Sequence, residues 1–299
     1  MVEYMDINLF IVQLFNALFF ASILFLISSG LSLIYGIMKI LNLAHGALYM
    51  VGAYITFTVV ILWLGLSWYS MVIAYIASIA VVASLGIYIE RILLKPLYNK
   101  PQDLQLLLTF ALIFILDDIV KMIWGAQYRA FPTIPGWSLS VGEYQIPVYF
   151  IATILIALGV ALLLHWFFTK TIYGKMIRAI SYSLETSAIL GINTDKLFAL
   201  SFALGAGLAG LAGGVAVPLY TASPGMGGDA IVLSFAVIVI GGMGSILGAF
   251  VGSLIVGLSR VFMAIIYPVF EIALIYIIMA IILMFRPTGL FGREMRERR

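Results

Sequence analysis

The sequence predicts an all-α polytopic membrane protein, and three observations support that class. The chain of 299 residues is 64% hydrophobic and only 10% charged, whereas soluble domains carry about 25% charged residues. Long apolar runs recur along its whole length, and runs of about 18 residues or more can cross a hydrocarbon core of about 30 Å. They lack the alternation of polar and apolar residues that a transmembrane β-barrel requires. Lipid is therefore the expected solvent for most of the chain.

The apolar runs predict nine transmembrane helices, with eight to ten possible if some segments are re-entrant. The first run follows an acidic start without a basic region or a cleavage site, so we expect no removable signal peptide. The glycines of "GGMGS", at 241–245, divide one long apolar region into two spans. In chain order the predicted spans are 9–35, 46–64, 70–90, 104–124, 147–168, 196–218, 229–243, 246–266 and 270–286.

The basic residues predict an external N-terminus and a cytoplasmic C-terminus, because Lys and Arg concentrate in cytoplasmic loops. That orientation, with an odd number of crossings, places 13 of the 16 basic residues inside. The three on the outer side are Lys121, Arg129 and Arg260. The inner residues are Lys39, Arg91, Lys95, Lys100, Lys170, Lys175, Arg178, Lys196, Arg286, Arg293, Arg296, Arg298 and Arg299.

The outer loop 125–147 is rich in proline, glycine and aromatic residues. Such a composition suits an ordered lid or docking patch, or a plain connector with interfacial Trp and Tyr anchors. Both interpretations remain open at this stage.

The largest inner loop, at about 169–195, predicts one short amphipathic helix, which we call the coupling segment. Glu185 lies on its polar face with Lys175, Arg178 and Ser183, and Gly191 is a suitable helix stop. Such a helix lies in lipid headgroups or in a groove on another protein, and its small residues favour close docking to a protein. Apolar and small residues repeat every three or four positions along it, at Met176, Ile177, Ile180, Leu184, Ser187, Ala188 and Gly191.

Polar residues at the junction of the first two spans form a candidate substrate pathway. Asn42 and His45 are one helical turn apart, and Gly46 follows. Polar groups at membrane depth often mark a transport route, and broken helices often line one. A short inner turn, with Lys39 setting topology and His45 capping a backbone group, is the alternative. The glycines Gly241, Gly242 and Gly244 are a second candidate break along the route.

Glycines at four-residue spacing predict close helix packing, because small residues let backbones approach in lipid. They are Gly210 and Gly214 in one span and Gly244, Gly248 and Gly252 in another. The packing is either within this chain or against a second membrane subunit.

Adjacent carboxylates at Asp117 and Asp118 resemble a proton or cation site. Lys121 follows at the i+4 and i+3 spacings that permit ion pairs, so we favour a local ion pair near the outer interface. The chain has two histidines, no cysteine and no His-Glu-x-x-His motif, which gives no metal site and argues against an intramembrane enzyme. Gly174-Lys175 lacks the remainder of a phosphate-binding loop, so any ATP hydrolysis must come from another subunit.

The coupling segment resembles the EAA-type loop of ABC importer permeases, which has Glu-Ala-Ala, three residues, then Gly. Here the pattern is Glu185, Thr186 and Ser187, then three residues, then Gly191. The chain as a whole is identified as a member of the LivH-type branched-chain amino acid permeases. The motifs that resemble that family are 30–55, 90–101, 174–214, "SPGMGGD" at 223–229, 241–258 and "FRPTGLFG" at 285–292.

This resemblance implies a single transmembrane permease domain over 1–299 in a bacterial inner membrane. It implies a second, LivM-like permease, two ATPase subunits that use ATP and Mg, and a periplasmic binding protein, with no cofactor or nucleic acid bound by this chain. Branched-chain or other amino acids are the expected substrates. Urea, amides or another small solute are the alternatives, and a proton-coupled secondary transporter using Asp117, Asp118 and His45 is a competing class.

Overall fold

The computed structural model describes residues 6–131 and 138–292, and there the chain forms eleven α-helices and one β-hairpin. The strands β1 (Ser138–Val141) and β2 (Tyr144–Pro147) pair antiparallel. Short π-helical and 3₁₀ turns extend α2 to Leu64 and α3 to Leu97. The helices are α1 (Ile7–Met38), α2 (His45–Phe57), α3 (Trp68–Tyr88), α4 (Gln102–Trp124), α5 (Val148–Lys170), α6 (Ile172–Tyr182), α7 (Leu184–Ile189), α8 (Thr194–Ala216), α9 (Gly227–Gly241), α10 (Ile246–Ile266) and α11 (Glu271–Phe285).

Each of the nine predicted spans falls on a helix, which confirms the all-α polytopic class. Among the described residues, seven helical segments, those of α1, α2, α3, α5, α8, α10 and α11, are long and apolar enough to cross a membrane. The segment α4 has the length but carries four charged residues, and α9 has only 15 residues. The predicted outer loop contains the hairpin, although 132–137 lie outside the described residues, as does the predicted basic tail 293–299.

The centre of the bundle is α8, whose most apolar stretch is 83% buried, against 6% for α11. Its glycines explain this burial, because they let three neighbouring backbones approach. Gly205 faces Gly30 of α1, Gly210 faces Val82 of α3, and Gly213 faces the carbonyl of Tyr49 in α2. The outer helices α5, α10 and α11 bury much less, with 22%, 28% and 6% of their most apolar stretches buried.

Two glycine contacts relate the first helices to α8 and α9. A Cβ on Gly30 would meet the carbonyl oxygen of Gly205, and a Cβ on Gly205 would meet that of Gly30. Gly46 of α2 and Gly227 of α9 show the same reciprocal contact. The pairs α1–α2 and α8–α9 are thus joined by two close backbone contacts between glycines.

Candidate functional site

The turn between α1 and α2 returns into the helix bundle. Lys39 ends α1 in the left-handed conformation, with φ of 57°. The carbonyl of Leu41 then accepts a hydrogen bond of 3.3 Å from Thr109, one turn before the middle of α4. His45 begins α2 with its Nε2 atom 3.0 Å from the carbonyl of Ile27 in α1. The helix α2 therefore starts inside the bundle.

The helix α9 also starts inside the bundle, from the opposite direction. Its first residue, Gly227, lies against Gly46. Five residues earlier, Ala222 pairs through backbone hydrogen bonds of 2.8 and 3.0 Å with Arg129, beyond the end of α4. With 15 residues, α9 is roughly 22 Å long. It reaches from this interior contact to the glycine break at 242–245.

Unpaired polar groups gather near these two helix starts. Asn42 is fully buried, and neither its amide nitrogen nor its amide oxygen has a hydrogen-bond partner within the described residues. The same is true of Nδ1 of His45. An unsatisfied buried polar group costs about 1–3 kcal/mol, and helix N-termini add free N–H groups and positive potential. Unpaired buried groups of this kind can bind a polar ligand or a proton.

A small cavity lies beside the helix starts. It has a volume of about 30 Å³, enough for about one water molecule, and Ala47, Gly227 and Asp117 are among its lining residues. No open passage for an amino acid is formed there by the described residues. The arrangement can hold a polar atom but requires movement to admit a solute.

A larger groove lies where α1 and α5 end, beside α6 and the glycine break before α10, and we call it the inner groove. Its volume is about 870 Å³. Two predicted site residues, Arg178 and Gly244, line it together, whereas Asn42, His45 and Gly46 do not. The lining residues are Leu33, Gly36, Ile37, Lys39, Phe168, Ile177, Arg178, Ser181, Tyr182, Met243, Gly244, Ser245, Ile246, Leu247 and Phe291.

The coupling segment is two helices, so the prediction of one continuous helix is wrong. The chain breaks between α6 and α7 at Ser183, where the backbone is extended, with φ of −157°. The Ser183 hydroxyl accepts a hydrogen bond of 3.2 Å from the Thr186 N–H and caps α7. A serine cap competes with helix continuation, and here it prevails over an apolar repeat that continues across the break.

The break divides the predicted stripe into a buried half and an exposed half. In α6, Ile177 and Ile180 are buried in a cluster with Leu33 and Ile37 of α1 and Leu197 of α8. Ile180 therefore packs within this chain. Of the α7 residues predicted to couple, only Ser187 is buried, and it donates a hydrogen bond of 2.8 Å to the Ser183 carbonyl.

The other predicted coupling residues are exposed around α7, at Leu184, Glu185, Ala188 and Gly191. Gly191 stops the helix in the left-handed conformation, with φ of 79°, as predicted. Two apolar residues that the stripe omitted are still more exposed, Ile189 at 86% and Leu190 at 72%. α7 thus presents an unpartnered apolar surface within the described structure.

The predicted packing glycines all make contacts within this chain. Gly210 and Gly214 pack on α3 and α2, and Gly248 and Gly252 pack on α9. The break at "GGMGS" is also present, and Gly242 and Gly244 have positive φ of 104° and 83°. Gly241 lies against Gly248, Gly242 against Gly292, and Gly244 against Gly36.

The adjacent carboxylates form the local ion pairs that their spacing predicted. Lys121 Nζ lies 2.6 Å from Asp117 and 3.1 Å from Asp118. Arg260 and Glu271 form a similar pair at 3.6 Å between the ends of α10 and α11. Across 6–131 and 138–292 no group of three or more His, Asp or Glu residues is placed to bind a metal ion.

A bundle of apolar helices with two interior helix starts and a groove at one end is the architecture of a membrane transport protein. The family model described as branched-chain amino acid transport system, permease component, matches residues 13–285. The chain therefore belongs to that family, which confirms the LivH-type resemblance.

Relatives of similar length have corresponding names. The high-affinity branched-chain amino acid transport system permease protein BraD of Pseudomonas aeruginosa is 31% identical, over 98% of this chain and 99% of its own. LivH of Escherichia coli strain K12 is 28% identical, over 97% of both chains. A solved structure, PsaBC from Streptococcus pneumoniae in complex with Fab, aligns with a TM-score of 0.48 and 15% identity over 90% of this chain and 89% of that one.

Proposed function

We propose that this chain is a permease subunit of an ATP-driven importer for branched-chain amino acids in a bacterial inner membrane. It forms part of the translocation path and receives its driving force from separate ATPase subunits. The observation that carries the proposal is the exposed apolar surface of α7, next to Glu185 and Gly191 of the EAA-like pattern. Its family membership supports the substrate class.

The proposed topology has nine crossings, with the N-terminus outside and the C-terminus in the cytoplasm. The ends of α1 and α5 that lie near α6 carry Lys39 and Lys170, and α6 carries Lys175 and Arg178. The positive-inside rule assigns this end to the cytoplasm. In this orientation α9 and its interior start count as one crossing, which keeps the C-terminus on the cytoplasmic side with α7.

In the proposed mechanism, α7 lies in a groove on the ATPase, with Leu184, Ile189 and Leu190 as apolar contacts. A helix that lays an apolar surface into a partner groove is a common recognition mode. Nucleotide-driven closure of two ATPases moves α6 with α7, because the two helices are joined only by Ser183. The buried Ile177 and Ile180 transmit that movement to α1 and α8.

The movement reaches the proposed pathway through the same helices. α1 carries Gly30 and Gly36, which contact α8 and the glycine break respectively. A shift of α1 separates Gly36 from Gly244 and alters the surroundings of His45. Asn42, His45 and the N-termini of α2 and α9 then offer hydrogen bonds and positive potential to the carboxylate of a passing amino acid.

A proton-coupled carrier is the competing class, and it would use Asp117, Asp118 and His45. Both carboxylates are held by Lys121, and His45 is bonded to the Ile27 carbonyl. This arrangement favours a structural ion pair over a proton relay. An ATP-driven importer therefore explains these residues better than a proton-coupled carrier does.

The decisive experiment is uptake into proteoliposomes that contain the permease pair, the ATPases and the binding protein. We expect uptake of leucine with wild-type ATPases and none with hydrolysis-deficient ones. Uptake that follows a proton gradient without ATP would refute the proposal. Binding of urea or an amide, but no branched-chain amino acid, by the cognate binding protein would correct the substrate and leave the ATP-driven class intact.

A further inference from the structure

The inner groove combines apolar walls with two cationic side chains. Leu33 and Ile37 of α1, Phe168 of α5 and Leu247 of α10 supply apolar wall. Lys39, Arg178 and the hydroxyl of Ser181 supply polar groups. Its volume of about 870 Å³ lies within the range of about 300–1,000 Å³ that is usual for ligand sites.

Among the described residues, the charge that lines the groove is entirely positive. Lys39 and Arg178 are its only charged lining residues, and neither has an ion-pair partner within 4.0 Å in the described parts of the chain. Surrounding protein desolvates the Lys39 ammonium and lowers its pKa from the usual 10.5. An anion held between the two cations would offset this loss of hydration by electrostatic attraction.

The backbone holds Lys39 in an unusual conformation. A residue that ends a helix with positive φ is usually glycine, because a side chain there is strained. Lys39 is the one described non-glycine residue with positive φ. Its ammonium lies 5.6 Å from the centre of the Tyr35 ring. A lysine that lines the groove is therefore kept at this position despite the conformational cost.

The groove lies at the ends of membrane-spanning helices. Gly36 and Ile37 belong to the last turn of α1, Phe168 to the last turn of α5, and Ile246 to the first turn of α10. Where spans end, lipid headgroups begin. The apolar walls of the groove lie deeper in the membrane than its cations. The walls therefore match the acyl chain of a phospholipid, and the cations match its headgroup.

We propose that the inner groove binds one anionic phospholipid, with its phosphate between Lys39 and Arg178 and an acyl chain along Leu33 and Ile37. Basic pockets between transmembrane helices on the cytoplasmic side are known to suit such headgroups. An acidic side chain from an ATPase would use the cations but not the apolar walls. The bound lipid joins α6 to α1 and the glycine break, so it stabilises the helix that carries α7. This role rests on the proposed function, but lipid binding itself does not.

The test measures lipid binding to the purified full chain in detergent by native mass spectrometry. Phosphatidylglycerol and phosphatidylcholine with identical acyl chains are the probes, and we expect phosphatidylglycerol to bind about tenfold more tightly or better. The variant Lys39→Gln/Arg178→Gln should lose that preference. The control Lys100→Gln/Lys175→Gln removes the same charge outside the groove and should keep it. Lys39→Arg/Arg178→Lys should also keep it and shows that charge, not fold, is responsible.

Equal binding of the two lipids by the wild type would overturn the proposal, as would an unchanged preference in Lys39→Gln/Arg178→Gln. Millimolar inorganic phosphate that displaces the lipid completely would show a phosphate site instead. Loss of bound lipid when the ATPases assemble would also overturn the proposal, because the groove would then be part of the ATPase interface. The binding assay needs neither ATP nor transport. A failure of lipid binding can therefore be distinguished from a failure of the ATP-driven mechanism.

Discussion

Gly46, at the start of α2, and Gly227, at the start of α9, touch through their backbones inside the bundle. A Cβ carbon on either residue would overlap the carbonyl oxygen of the other. Two helices that enter from opposite sides therefore meet where the chain also buries Asn42 and His45. This contact fixes the depth at which both helices begin, and it leaves no room for any residue but glycine.

Replacing Gly227 with alanine should destabilise the protein. The methyl group would displace the backbone of α2, and overpacking of this kind costs about 1–3 kcal/mol. Thermal unfolding of the purified protein in detergent measures the effect. Gly228→Ala is the matched control, since a Cβ at Gly228 meets no atom within 4 Å. Equal melting temperatures for the two variants would show that α2 and α9 are not in this contact.

Gly46→Ala should show the same loss as Gly227→Ala, and the double variant should lose less than the sum. Both methyl groups force apart the same two backbones, and sites in direct contact are not additive. Gly159→Ala is the control, because Gly159 in α5 also has open space at its Cβ position. Full additivity of the two losses would indicate that each glycine packs against something else.

The transmembrane helices were predictable because lipid imposes a simple rule of length and apolarity on each span. The break at Gly241–Ser245 was predictable as well, since glycines interrupt the apolar run there. The break at Ser183 was missed, although a signal exists. Ser183 is a favoured N-cap residue and Glu185 lies in the first turn that follows, which is typical of a helix start, but the regular apolar spacing obscured it.

The site itself depended on contacts that no local pattern contains. Lys39 and Arg178 are far apart in sequence and share the inner groove only because α6 folds back against α1. Sequence reasoning treated Lys39 as a topology signal and Arg178 as part of the polar face of the coupling segment. Likewise, Asn42 and His45 were recognised as unusual polar residues, while the contact of the neighbouring Gly46 with the start of α9 required the fold.

Replacing Asn42 with leucine should reduce transport without reducing the stability of the fold. The buried amide has no partner in the described structure. Its removal should therefore leave the melting temperature unchanged or raise it, with a gain in the free energy of unfolding of at most about 1–3 kcal/mol. We expect uptake in the reconstituted system to fall about tenfold or more, because a hydrogen-bonding group on the path is lost. Ser28→Ala is the control, because it removes a different buried polar group without a partner, and it should leave uptake unchanged. Normal uptake with Asn42→Leu would favour the structural-turn interpretation.

The topology can be mapped with single cysteines, because the natural chain has none. A membrane-impermeant thiol reagent on intact cells should label Ser140→Cys in the hairpin and spare Lys175→Cys in α6. Arg299→Cys should be spared as well, since nine crossings place the C-terminus inside. Labelling of Lys175→Cys only after permeabilisation provides the control for accessibility. Labelling of Arg299→Cys from outside would contradict the nine-span count.

The exposed apolar surface of α7 can be tested at Ile189. Ile189 is 86% exposed, so Ile189→Asp should leave insertion and melting temperature unchanged. Apolar anchors at the centre of an interface often contribute 2 kcal/mol or more, and we therefore expect ATPase binding to weaken by roughly thirtyfold. Co-purification of the ATPases and stimulation of their hydrolysis by the loaded binding protein are the measurements. Ile172→Asp, at an exposed position on α6, is the matched control. If both variants assemble and transport normally, α7 is not the surface through which the ATPases act.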